Sequence, residues 1–210
     1  MKKSRKISKL KEKKADIKNV KMDKALGQAW FRTDAEDGNK RRYFLERRWG
    51  KGSKVLGVIL MHPSDADAAI LDQSTNKVGL FAVNSDDYDA MYVINLSPIF
   101  VKDSKSLIKM DEEHFDDTDY KDQKKAFKTV FNSADDIVLA WGEVGQRLFD
   151  KKIKDDKDFS KLFKKHLKEK QFLISDANDS ENNPRFPYHP ASHGDMSFIN
   201  GNDFVKEWLE

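Results

Sequence analysis

The chain contains no cysteine. That absence excludes structural disulfides and every cysteine-based zinc site, and it agrees with a cytoplasmic setting. Long apolar runs are missing as well. The longest are strand-sized, too short to span a bilayer, and the basic N-terminus is not followed by the apolar core of a secretory signal. Neither a low-complexity linker nor an internal repeat breaks the 210 residues, which suffice for one substantial domain with a tail. Residues 1–28 are expected to form a basic arm, disordered or an exposed helix, and residues 29–210 a single α/β domain.

What is present is polar but not featureless. Charged residues make up 36% and hydrophobic residues 38%, yet 14 Phe and 4 Trp are too many for a chain that stays unfolded. The net charge of +3 hides an asymmetry. Residues 1–24 hold eleven Lys/Arg against three Asp/Glu, while the remainder is mildly acidic. Such an arm is either a solvated tail or an electrostatic handle for a phosphate backbone.

"AWFRT" and "RRYFLERRWG" flank the turn-forming "DAEDGNK" and read as a β-hairpin. "VLGVILM" (55–61) is apolar without alternation, as a strand buried on both faces should be. "MYVINLSPIF" gives a second such strand ending at Asn95, and "DDIVLAWG" a third, stopped at Trp141-Gly142. Between them, "TNKVGLFAVN" starts a short helix that Asp72, Ser74 or Thr75 can cap. "DYKDQKKAFKTVFNSA" turns Phe127, Val130 and Phe131 inward. "EVGQRLFDK" and the amphipathic "FSKLFKKHLKEK" are further helices, "QFLI" a short fourth strand, and "DFVKEWLE" a closing helix. Buried strands alternating with helices predict a three-layer α/β sandwich with a mainly parallel four-stranded central sheet plus the N-terminal hairpin.

Open parallel sheets bind ligands outside the carboxyl ends of their strands. Here those ends deliver His62-Pro63-Ser64, Asn95-Leu96-Ser97, Trp141-Gly142 and, after a loop, Tyr188-His189-Pro190. Each residue also has a plainer use. His62 can bond a loop carbonyl, Asn95 can satisfy loop backbone, and Trp141 is by type more often core than ligand contact. His189 is held extended by the following proline. Asp65, Asp67 and Asp72 can be solvated or capping residues; together with His62, His189 and His193 they could take a divalent metal, but Pro190 and Gly194 break the helix that the His189–His193 spacing would need. No metal or other cofactor is expected. A Ser64-based triad lacks the glycines of a nucleophile elbow.

The segments "RYFLERRW" (42–49), "HPSDAD" (62–67), "DQS" (72–74), "INL" (94–96), "AWGEVG" (140–145) and "YHP" (188–190) together resemble the family called domain of unknown function 1643, of bacteria and phages. His62 departs from it, standing where that family usually carries Asn. More distantly, the motif order looks like that of the uracil-DNA glycosylase superfamily. That likeness implies a glycosylase-like fold and a base pocket in which His62, Asn95 and His189 are catalytic. His62 would orient or deprotonate a water. Asn95 would read an amide-like base edge, and His189 would stabilise charge on the departing base. Ser64, Asp67, Asp72, Trp141 and Tyr188 would line the base site. Arg42, Arg47 and Arg48, with the basic arm 1–24, would hold the phosphate backbone. The function implied is a DNA N-glycosylase-like hydrolase. The alternatives are a non-catalytic nucleic-acid or nucleotide binder and a protein-interaction module, for instance in phage–host conflict.

Overall fold

A computed structural model describes residues 27–33, 38–64, 72–168, 170–175 and 196–210. The strands are β1 (Ala29–Thr33), β2 (Lys40–Arg48), β3 (Val55–Leu60), β4 (Ala90–Asn95), β5 (Asp136–Ala140), β6 (Gln171–Ser175) and β7 (Met196–Asn200). They form one mixed sheet in the order β1-β2-β4-β3-β5-β6-β7. The inner four, β4, β3, β5 and β6, are mutually parallel. The β1–β2 hairpin joins antiparallel to β4, and β7 adds antiparallel to β6. The α/β class and the parallel four-strand centre agree with the sequence reading. β7 is an element that reading does not contain.

Six α-helices are described: α1 (Gln73–Asn84), α2 (Leu107–His114), α3 (Asp117–Ser133), α4 (Gly142–Phe149), α5 (Lys157–Leu167) and α6 (Gly201–Leu209). A π-helical turn, Asp150–Lys154, links α4 to α5. Short polar side chains start several of them. Asp72 caps α1, Asp156 caps α5, Asn200 caps α6, and Asp116 with Asp119 makes a reciprocal capping box on α3. Among the described residues, no helix is long and apolar enough to cross a membrane.

The pleat divides the core in two. Val55 and Ile59 of β3, Ile94 of β4 and Leu139 of β5 face the helices from α2 to α6, where Phe127, Phe131, Phe149, Phe163 and Phe204 are buried. Leu56, Val58, Leu60, Met91, Val93, Val138 and Ala140 face the other way and pack on Val78 and Ala82 of α1. After β3 the chain steps to β4 on one side, then crosses to β5 on the other. The order therefore reverses at β3, and the carboxyl ends around it are where such a sheet opens a crevice.

Candidate functional site

The site starts from an irregularity in β2. Across the hairpin Trp30 pairs with Phe44 but Phe31 pairs with Arg42, so Tyr43 is an extra residue. A bulge of this kind flips the alternation and re-aims its neighbours. Tyr43 and Phe44 both turn into the larger core half, whereas Leu45 enters the smaller one. Tyr43 donates its hydroxyl to Asp119 at 2.5 Å, and the buried Arg41 guanidinium reaches the same carboxylate at 3.4 Å. Arg42 turns to the opposite face and donates from Nη2 to Asn95 Oδ1 at 3.3 Å.

Asn95 is the last residue of β4, paired with Leu60 of β3, and only 2% exposed. Its Oδ1 is held by Arg42, while its Nδ2 has no hydrogen-bond partner among the described residues. Leaving such a donor unmade costs about 1–3 kcal/mol, so the position is not neutral filler. The strand end is itself pinned. Gln123 of α3 donates to the carbonyls of Asn95 (2.8 Å) and Leu96 (2.7 Å), and its own Oε1 is buried with no partner among the described residues. The two parallel exits stay paired past the strands, with Leu96 N–H donating to Leu60 O and Ser97 N–H to Met61 O. That pairing carries His62 out alongside Asn95.

His62 is half-buried. Its Nδ1 lies 2.8 Å from Pro63 O and its Nε2 3.3 Å from Ser104 Oγ. A carbonyl only accepts, so Nδ1 carries the proton and Nε2 presents its lone pair to the serine hydroxyl. Burial pushes the pKa down, and the Arg42 charge adds to this against the opposing pull of Pro63 O and Asp72. The imidazole is therefore neutral at pH 7, and Nε2, which accepts from Ser104, is its basic nitrogen. Asp72 receives the Thr75 N–H and the Thr75 hydroxyl, each at 2.8 Å. Burial raises its pKa, but those bonds, a hydrogen bond from Ser64 and the Arg42 charge outweigh it and hold the carboxyl below its usual range. Arg42 thus links three elements: bonded to Asn95, it is felt electrostatically at both His62 and Asp72. A guanidinium, a neutral imidazole, a carboxylate and a buried amide donor converge at the carboxyl end of β3 and β4.

Other expected site residues do not join them. Arg47 and Arg48 pair with Met91 and Ala90, at the amino end of β4, the opposite edge of the sheet from Asn95. Arg42 and Arg48 lie six positions apart along the nine-residue extended strand β2. Arg48 donates instead to Gly52 O and Glu46, and Arg47 to Glu46 O. Trp141 is wholly buried, stacked on Phe149 at 4.9 Å with Trp208 edge-on at 6.3 Å, its indole N–H given to Gln146. That ring is core packing, not a stacking face for a base. Asp67, Tyr188, His189 and the basic arm 1–24 lie outside the described residues. No group of three or more potential metal ligands occurs among the described residues.

Two members escaped the sequence reading. Gln123 sits on the inward stripe of α3, four residues before Phe127, and a polar residue in that register was a usable signal. Ser104, in a 3₁₀ turn after β4, carried none.

A family model described as "Protein of unknown function (DUF1643)" matches residues 42–191. No curated protein and no solved structure matches the chain.

Proposed function

The chain belongs to the DUF1643 family, whose function is unknown, and from the site alone we propose that it binds a nucleobase and hydrolyses its N-glycosidic bond. The observation that carries this reading is Asn95, fully buried at the carboxyl end of a central strand, with its oxygen held by Arg42 and its Nδ2 unpartnered among the described residues. Oδ1 already accepts from Arg42 while Nδ2 is unmet among the described residues, and a free amide donor suits a base edge bearing a carbonyl. Arg42 is a fixed cation beside that edge, where charge develops as the base departs. His62, neutral and with Nε2 as its basic nitrogen, deprotonates the attacking water. In this reading His189 is a second donor to the leaving base, and the arm 1–24 contacts phosphate.

The test is to incubate the full chain with single- and double-stranded DNA containing uracil, hypoxanthine or other modified bases, and to score abasic sites. Product is expected, falling about a hundredfold or more in His62→Ala and lost in Asn95→Ala. Base binding without product in the wild type would favour the non-catalytic alternative. Product appearing only in His62→Asn would mark a site silenced by the histidine. Neither binding nor product would overturn the proposal.

A further inference from the structure

Next to the site, the sheet face that carries Arg42 also carries aromatic rings. Phe31, on edge strand β1, pairs with Arg42 across the hairpin and is 37% exposed, one of two exposed large hydrophobic residues among those described. Phe100, beyond the end of β4, lies with its ring centroid 6.4 Å from that of Phe31. Lys40 Nζ stands over both rings, 4.3 Å from Phe31 and 5.1 Å from Phe100. The Arg42 guanidinium is 6.0 Å from the Phe100 centroid. A continuous line therefore runs Phe31, Phe100, Arg42, Asn95 from the surface into the buried amide, with ammonium charge along it. Lys102 and Lys105 are exposed nearby, and the one acid of that turn, Asp103, is engaged in capping.

We propose that Phe31, Phe100 and Lys40 form a landing platform for single-stranded nucleic acid. The base flanking the target stacks on the phenyl rings, and its phosphate meets Lys40. The target base then enters beside Arg42 and Asn95. This rests on the nucleobase reading of the site. Stacking on aromatic rings needs a base with a free face, which an unpaired strand offers and a duplex does not. Lysine over the rings adds the phosphate attraction that makes such binding salt-sensitive. A neutral peptide or an apolar partner would gain nothing from Lys40.

The experiment is fluorescence anisotropy with the full chain, using a fluorescein-labelled oligothymidylate strand, its duplex with oligoadenylate, and thymidine monophosphate as an unlabelled competitor. Phe31→Ala, whose side chain is exposed enough to spare the fold, should weaken the strand about five- to hundredfold. Lys40→Gln should flatten the salt dependence of strand binding, and the affinity of the mononucleotide should not change in Phe31→Ala. Phe100→Ala should act like Phe31→Ala, with its thermal transition measured alongside. Equal strand affinity in Phe31→Ala and wild type, or a duplex bound as tightly as the strand, would overturn the platform. Failure of the pocket reading looks different. The mononucleotide would not compete and Asn95→Ala would leave strand binding intact, while the Phe31→Ala loss persisted.

Discussion

His62 and Asp72 owe their protonation states to their surroundings, and this has a consequence for stability. Burial and the Arg42 charge lower the His62 pKa from its ordinary 6.5. The unfolded chain therefore binds more protons than the native one below that value, and stability falls as pH drops through the window. His166 acts in the same direction, lowered by burial and by Lys165, Lys170 and Lys128. Replacing His62 with Asn removes one of these two contributions. In urea titrations the variant should gain on the wild type as pH falls from about 7 to about 5, and parallel curves would show that His62 is not titrating as described. Arg42, His62, Asp72 and Asn95 are individually visible in the sequence as polar residues at strand and helix ends. That Arg42 rather than Arg47 or Arg48 reaches Asn95 is not visible, because it depends on the antiparallel register of β2 on β4 and on the extra residue in β2 that sets the face Arg42 takes.

At the scale of elements, strands and helices follow from apolar runs and caps, so β3, β4 and β5 are legible nearly residue by residue. α2 is not. Its sequence, Leu107–His114, fully buries only Leu107 and the charged Asp111, with Ile108 partly buried against the core, so its eight residues show no clear apolar period to read. Contact between layers is equally hidden. At Gly57 of β3 an added Cβ would sit 2.9 Å from Val130 Cγ1 and 3.0 Å from Ala134 Cβ, both contributed by α3 or its end. α3 lies that close to the sheet, and through Gln123 it holds the end of β4. Gly57→Ala should therefore cost about 1–3 kcal/mol through overpacking, measured as a lower urea midpoint. An unchanged midpoint would mean that α3 can move away freely.

At the scale of the whole molecule, α6 closes the larger core half. Phe204, Val205, Trp208 and Leu209 are each at most 9% exposed. Phe204 and Trp208 stack on each other and meet Phe149 edge-on, next to buried Trp141. Burial is worth roughly 1.5–3 kcal/mol for each large apolar side chain, and a domain's net stability is about 5–15 kcal/mol. Truncation after Asn200 should consequently abolish the cooperative thermal transition followed by circular dichroism. Retention of a sharp transition would show that the remaining core suffices.

By itself the sequence determined the α/β class, the buried parallel strands and the polar residues at their exits, because each depends on neighbours within a few positions. Only the tertiary structure decided which of those residues meet. Arg42 and Asn95 are 53 positions apart in the chain, and their hydrogen bond exists because of strand order, register and one bulge. The same antiparallel register carries Arg47 and Arg48 to the far edge. Pairings of that kind are set by how whole strands align against one another, a property that no local stretch of sequence contains.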